Sequence, residues 1–260
     1  MPHLTVNGET VYYAHRQSRK ASRAALVFIH GAGGSHQVWL CQVRGLAQVS
    51  SYALDLPGHG QSAGQGPDSI ATYADWLSAF LDAAGLERAV LVGHSMGGAI
   101  ALDMALRCPE RVAGLGLVAT GARLRVAPAV LEGLRSDPAA AVRLIGEWAY
   151  GPQAPPEMIR LGEEQIAATP PEVLYDDFAA CNAFDVTGRL SEITTPTVVV
   201  CGSEDRMTPP KYAAYLRDSI PGAALHLVEG AGHMVMLEKP EEVTAILAGE
   251  PRFRTGAPES

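Results

Sequence analysis

What the chain has little of narrows the field first. Basic residues are the minority: 20 Lys and Arg against 28 Asp and Glu leave a formal net charge of −8. A nucleic-acid groove needs a basic face to meet phosphates, so no nucleic-acid partner is expected. Long hydrophobic runs are also missing. The apolar stretches are strand-sized, short of the roughly 20 residues that a membrane-spanning helix needs, so no membrane segment is expected. The opening MPHLTVNGETVYY has no basic flank followed by an apolar run, and does not read as a secretory signal. The four cysteines, Cys41, Cys108, Cys181 and Cys201, have no paired spacing. They read as reduced thiols in or near the core of a cytoplasmic protein. No H-E-x-x-H or C-x-x-C run points to a metal, and no cofactor is implied.

What is present suits a single globular chain. Of 260 residues, 47% are apolar and 18% charged, which is ample for a buried core. Leu4–Val6 and Thr10–Tyr13 flank Asn7-Gly8, a hairpin signal. Ala24–Ile29, Ser51–Leu56, Arg88–Val92 and Val112–Ala119 are short apolar runs that read as strands. Helical spacing over Ile70–Ala84 and Gly97–Arg107 separates them. Strands alternating with helices imply a mostly parallel sheet with helices on both faces. The alternation stops after Thr120. Residues 122–190 show no strand, and prolines at 128, 138, 152, 155, 156, 170 and 171 divide them into short helices, among them Pro138–Trp148 and Glu157–Ala168. This segment reads as a helical cap inserted into a core made of residues 1–121 and 191–250. Thr197–Cys201, Pro209–Ser219, Ala224–Val228 and Pro240–Leu247 then resume strand, helix, strand, helix. Residues 251–260 read as a frayed tail.

One stretch carries chemistry. In Leu91-Val92-Gly93-His94-Ser95-Met96-Gly97-Gly98, a serine stands at G-x-S-x-G spacing where a strand turns into a helix. That corner strains the serine backbone and needs small neighbours. It lifts the hydroxyl to the carboxyl end of the sheet, beside a helix N-terminus that favours developing negative charge. A phosphate-binding turn would want a lysine or a G-x-G-x-x-G run, and neither is here. Ser95 therefore reads as a nucleophile. A serine needs a base, and the base an orienting acid. His233 follows the strand Ala224–Val228, and Asp205 follows Thr197–Cys201, with Glu204 as its rival. Both fall on the same sheet edge as Ser95, in the order nucleophile, acid, base. The other histidines have weaker cases: His3, His15 and His36 read as solvated, His226 sits inside a strand, His59 reads as structural, and His94 reads as packing away from the serine. Oxyanion donors would be the backbone N–H groups of Met96, just after the nucleophile, and of Ala32, in the glycine-rich loop His30–Gly34.

The segments HGAGG (His30–Gly34), DLPGHGQS (Asp55–Ser62), GHSMGG (Gly93–Gly98), PTVVVCGSEDRMTPP (Pro196–Pro210) and AGHMVMLEKPEEV (Ala231–Val243) resemble the α/β-hydrolase fold family, of its serine esterase and lactonase type with a helical cap. The resemblance implies an α/β-hydrolase fold and a triad of Ser95, Asp205 and His233. It implies hydrolysis of a small-molecule carboxylic ester or lactone through an acyl-enzyme. Serine at position 95 disfavours relatives that use an aspartate nucleophile. Met234, where carbon–carbon hydrolases commonly carry tryptophan, weakens that alternative. Carbon–carbon hydrolysis, cofactor-free perhydrolase or haloperoxidase chemistry and a slow ligand sensor remain the alternatives. Trp39, Leu124, Val130, Leu144, Trp148 and Phe184 are candidate pocket walls. Few basic residues fall on the expected inner faces of the cap, which suggests a neutral apolar acyl group.

Overall fold

The computed structural model describes residues 3–18 and 24–250; the expected tail lies outside them. In chain order the elements are β1 (His3–Val6), β2 (Glu9–Arg16), β3 (Ala25–Ile29), α1 (Leu40–Gly45), β4 (Ser51–Leu54), α2 (Ile70–Ala83), β5 (Ala89–His94), α3 (Met96–Arg107) and β6 (Val112–Val118). There follow α4 (Pro128–Ser136), α5 (Pro138–Ala149), α6 (Pro156–Ala167), α7 (Pro171–Ala183), β7 (Thr197–Gly202), α8 (Pro210–Ser219), β8 (Ala224–Val228), α9 (Val235–Glu238) and α10 (Pro240–Gly249). The eight strands form one sheet in the order β1-β2-β4-β3-β5-β6-β7-β8. β3 through β8 pair in parallel, while β1 and β2 are antiparallel to their neighbours.

The central strands are apolar on both faces because both faces are covered. Val27 and Ile29 of β3, Leu91 of β5 and Val199 of β7 enter one core layer with Leu77 and Phe80 of α2 and Ile100 of α3. Their sequence neighbours Leu26, Phe28, Val90, Val92, Val198 and Val200 enter the opposite layer with Val43 of α1 and Val243 and Leu247 of α10. A period of two fed into two layers leaves no polar position in the strand, which explains why these runs read as continuous hydrophobic stretches. The Asn7-Gly8 turn has both residues at positive φ, 51° and 86°, as a two-residue hairpin with right-handed strand twist requires. Ser69 caps α2, its hydroxyl accepting from the Thr72 amide at 3.2 Å, a contact that typically stabilises by about 1 kcal/mol.

The order of strands places the site. From β3 the chain moves to one side to make β4, then crosses back to the other side of β3 to make β5. The loops leaving the carboxyl ends of β3 and β5 therefore diverge and leave a crevice, the position where open α/β sheets bind ligands. Residues between β6 and β7 supply the four helices α4 to α7, tied at their base by an antiparallel bridge between Arg123 and Asp185. Val130 and Leu134 of α4, Ile145 of α5, and Leu174 and Phe178 of α7 form a separate small core that also touches Ala32. The expected strand Ser51–Leu56 ends two residues early, at Leu54. Asp55 turns its carboxylate inward, where it accepts from the His36 and Gln61 amides.

Candidate active site

Ser95 occupies the corner between β5 and α3 with φ 51° and ψ −114°, a conformation rare for any residue with a side chain. The surroundings hold it there. Its N–H donates to Val118 O at 3.0 Å, and its carbonyl accepts from Thr120 Oγ1 at 2.7 Å and from the Gly98 amide at 2.9 Å. A Cβ at Gly93 would run into the Gly97 backbone, and one at Gly97 into the Ile29 carbonyl. The glycines at this corner thus serve the close approach of α3 to β5 and β3.

Asp205 and His233 meet behind the serine. His233 Nδ1 lies 2.9 Å from Asp205 Oδ2, and both side chains are almost fully buried. Asp205 Oδ1 accepts from the Met207 and Thr208 amides at 2.9 and 2.8 Å, and Oδ2 from the Thr208 hydroxyl at 2.8 Å. Burial alone would raise the carboxyl pKa, but the His233 ring and the Thr208 donors outweigh it and hold Asp205 below its ordinary value. With Asp205 on Nδ1, the second ring nitrogen of His233 has no protein partner among the described residues. Glu204, the rival acid, points to solvent. The His233 loop is pinned by Glu238, which accepts the Gly232 amide at 3.0 Å and the Gly151 amide at 2.9 Å.

The loop after β3 faces this pair. Among the described residues, the amides of Ala32 and Met96 donate to no protein acceptor, so both remain available for an oxygen placed between them. His30 braces the loop. Its Nδ1 lies 2.7 Å from the Gly31 carbonyl, and its Nε2 accepts from the Leu56 amide at 3.0 Å. These partners fix the neutral tautomer. Burial, and next the His59 charge, push its pKa down to about 4.

A cavity of about 190 Å³ opens over Ser95. Its lining includes Ala32, Ser95 and His233, together with Leu124, Val130 and Trp148 from the expected wall. The other three expected walls are not part of the lining. Trp39 is fully buried in the lower core layer, its ring 5.0 Å from Phe28. Leu144 packs within the helical segment, because its neighbour Ile145, about 100° further round α5, takes the cavity side. Phe184 leaves the end of α7 for the core of the sheet, and Phe178 lines the cavity instead. Ile166 and Met207 add apolar lining that the sequence reading missed. Ile166 belongs to the apolar stripe of α6, which does not say what it faces, and Met207 lies in the loop after β7, where no periodicity marks it. Arg125, within residues 122–190, and Arg206, in the loop after β7, also reach the lining, so the cavity surface is less purely apolar than the expected neutral acyl site.

Two histidines depart from their expected places. His94 lines the cavity, with Nε2 3.1 Å from the His233 carbonyl and its ring 4.7 Å from the His233 ring. Burial, and then the neighbouring His233 charge, push its pKa well below the usual value, so it stays neutral. His36 is buried rather than solvated, its Nδ1 2.8 Å from Asp55. His59, read as structural, is buried against Asp177 of α7 at 2.8 Å.

All four cysteines are free thiols, with Cys181 and Cys201 buried and Cys41 exposed rather than near the core. Among the described residues, no helix is long and apolar enough to cross a membrane.

Comparison with known proteins gives the family. Residues 26–246 match the model of the alpha/beta hydrolase family. The chain is 31% identical to the dihydrolipoyllysine-residue acetyltransferase component of the acetoin cleaving system of Cupriavidus necator, over 93% of this chain and 66% of that one. It therefore spans just under two thirds of that relative. It is 30% identical to the pimeloyl-(acyl-carrier protein) methyl ester esterase of Neisseria meningitidis serogroup B, over 89% of this chain and 94% of that one. The solved structure of a thermophilic esterase superposes with a TM-score of 0.84 at 35% identity, covering 95% of each chain. The chain belongs to the alpha/beta hydrolase family, in its esterase-type branch.

Proposed function

We propose that the protein hydrolyses small-molecule carboxylic esters or lactones through a covalent acyl-enzyme, with Ser95 as nucleophile, His233 as base and Asp205 as the orienting acid. The observation that carries this reading is the convergence of a strained serine, the histidine of a buried Asp–His pair and the loop carrying the Ala32 amide on one cavity. Resemblance to an esterase and to a methyl ester esterase supports the same bond type.

The proposed steps follow from the geometry. Ser95 Oγ attacks the ester carbonyl while His233 Nε2 takes its proton. The resulting imidazolium is stabilised by Asp205, and the tetrahedral oxygen by the Ala32 and Met96 amides. His233 then gives its proton to the leaving alcohol. Water, activated by the same ring, cleaves the acyl-enzyme and releases the acid. Each oxyanion donor typically supplies about 3 to 4 kcal/mol of transition-state stabilisation. The cavity of about 190 Å³ suits a short or medium acyl chain. In this proposal, residues 122–190 act as the cap that shapes that chain's site, and the compartment is cytoplasmic.

The test is steady-state hydrolysis of p-nitrophenyl esters, from acetate to decanoate, by wild type and Ser95→Ala. Multiple turnovers that vanish in Ser95→Ala, with an optimum at short or medium chains, are expected. Labelling of Ser95 by a fluorophosphonate without turnover of any ester would overturn the substrate class and bring carbon–carbon substrates forward. Unchanged hydrolysis in Ser95→Ala would overturn the nucleophile.

A further inference from the structure

The ester-hydrolysis reading leaves one buried cluster unused. Asp177, on α7 of the helical segment, is fully buried, with its carboxylate inside the sheet domain. Its Oδ2 accepts the Gly33 amide at 3.0 Å and lies 2.8 Å from His59 Nε2. Its Oδ1 accepts the Tyr73 hydroxyl at 2.6 Å. Three donors from three distant parts of the chain thus converge on one carboxylate. One of them is the backbone of the loop that carries the Ala32 amide.

We infer that Asp177 is a positioning residue for the oxyanion hole, and that it couples the seating of the helical cap to the orientation of the loop His30–Gly34. The inference rests on the proposed role of the Ala32 amide. Gly33 has φ +64°, which leaves its peptide without the restraint that a side chain would impose. The restraint comes from the cap instead. Asp177 holds the Gly33 N–H, Thr169 Oγ1 donates to the Gly33 carbonyl at 3.4 Å, and Gln165 Nε2 donates to Ser35 Oγ at 2.7 Å. A Cβ on Gly33 would meet Leu174 Cδ1 at 2.7 Å, so α7 lies directly on this peptide. The Ala32–Gly33 peptide adjoins the Gly31–Ala32 peptide, whose N–H is the proposed donor. Rotation of one about Ala32 turns the other.

Charge explains why a carboxylate is tolerated here. A lone anion two peptides from an oxyanion would oppose the charge that develops on the substrate. His59 cancels it. Its Nδ1 lies 2.9 Å from the Pro57 carbonyl while Nε2 faces Asp177, so both ring nitrogens meet acceptors and both must carry protons. Burial alone would lower the His59 pKa, but the Asp177 charge and hydrogen bond raise it above the ordinary value. The pair orients Gly33 and adds no net charge to the site.

Asp177→Asn and Asp177→Leu separate the possibilities. Asparagine can turn its amide oxygen to Gly33 and its NH₂ to the Tyr73 hydroxyl, which can accept. Leucine fills the space and accepts nothing. The assays are kcat and KM on a short p-nitrophenyl ester, counted per fluorophosphonate-titrated site so that only folded enzyme enters. A trifluoromethyl ketone serves as the tetrahedral-adduct probe. Asp177→Leu is expected to lower kcat by about ten- to a hundredfold, the scale of a misplaced catalytic contact. It should weaken the trifluoromethyl ketone by a similar factor, with KM changed less than about threefold on the same reasoning. Asp177→Asn should restore kcat to within about threefold. Asp177→Ala, which leaves room for water on His59 and Tyr73, carries the same expectation as leucine and covers a leucine variant that does not fold. A Leu or Ala variant with unchanged kcat and ketone affinity, its only effects a lower Tm or a raised KM, would overturn the inference while leaving Ser95 in place. If wild type neither turns over ester nor takes the fluorophosphonate, the nucleophile assignment fails first, and this inference falls with it.

Discussion

Asp205→Asn alters one group and should reverse one hydrogen bond. Two backbone donors, Met207 N–H at 2.9 Å and Thr208 N–H at 2.8 Å, point at Asp205 Oδ1. The asparagine oxygen must stay there, because an NH₂ group at that position would face two donors. The NH₂ is then forced to the Oδ2 position, 2.9 Å from His233 Nδ1. The Thr208 hydroxyl, 2.8 Å from the same atom, can rotate to accept. His233 Nδ1 has no such freedom. To accept from the amide it must lose its proton, which moves to Nε2, the nitrogen that has to receive the Ser95 proton. Wrong-tautomer triads of this kind lose about 10⁴ in kcat, or about 5.4 kcal/mol at ~1.36 per tenfold. Because the shape and both backbone hydrogen bonds survive, KM should stay within about threefold. The assay is ester turnover at pH 8, with single-turnover acylation as a check on the chemical step. A kcat within tenfold of wild type would refute the argument that Asp205 sets the tautomer of His233.

Two further outcomes follow from burial and charge. Trp148 lines the cavity and Trp39 does not. Trp148→Ala should therefore move the acyl-chain optimum to longer esters, whereas Trp39→Ala should leave the optimum in place and cost about 3–5 kcal/mol of stability, as read by urea denaturation; a shifted optimum in Trp39→Ala would contradict the packing. His30 has its folded pKa depressed from 6.5 to about 4, so the unfolded chain binds the extra proton between those values and stability falls as pH drops through that window. The loss saturates below pH 4 at about 3 kcal/mol on ~1.36 per unit. His94 adds in the same direction, and His59, with its raised pKa, opposes them by adding stability that is lost as pH rises. Denaturation midpoints from pH 7 to 4.5 should fall in wild type and fall less in His30→Gln; parallel slopes would assign the acid loss elsewhere.

Much of this was legible in the sequence, for a physical reason. A strand buried on both faces is apolar at nearly every position, so Ala24–Ile29, Arg88–Val92 and Thr197–Cys201 stood out, and their alternation with helices pointed to a parallel sheet. Ser95 and Asp205 each follow such a strand, and His233 follows the edge strand Ala224–Val228. Finding the strands put all three on one edge without knowledge of any side-chain contact. What escaped the reading needs the third dimension. Leu144 and Ile145 are equally apolar, and only the seating of α5 decides which one meets the cavity. The end of Ser51–Leu54 was misjudged because Asp55 looks like a strand residue until its carboxylate is seen collecting the His36 and Gln61 amides. The Asp177–His59 pair spans 118 positions. His59 reads from sequence as a structural residue of its glycine-rich turn, and nothing near it points to an aspartate in a helix of the segment between β6 and β7. A buried charge at either position would be costly alone, and becomes tolerable only through the other. That mutual dependence leaves no local pattern in the sequence. For the same reason, the residues hardest to read from sequence here are those by which one part of the chain holds another.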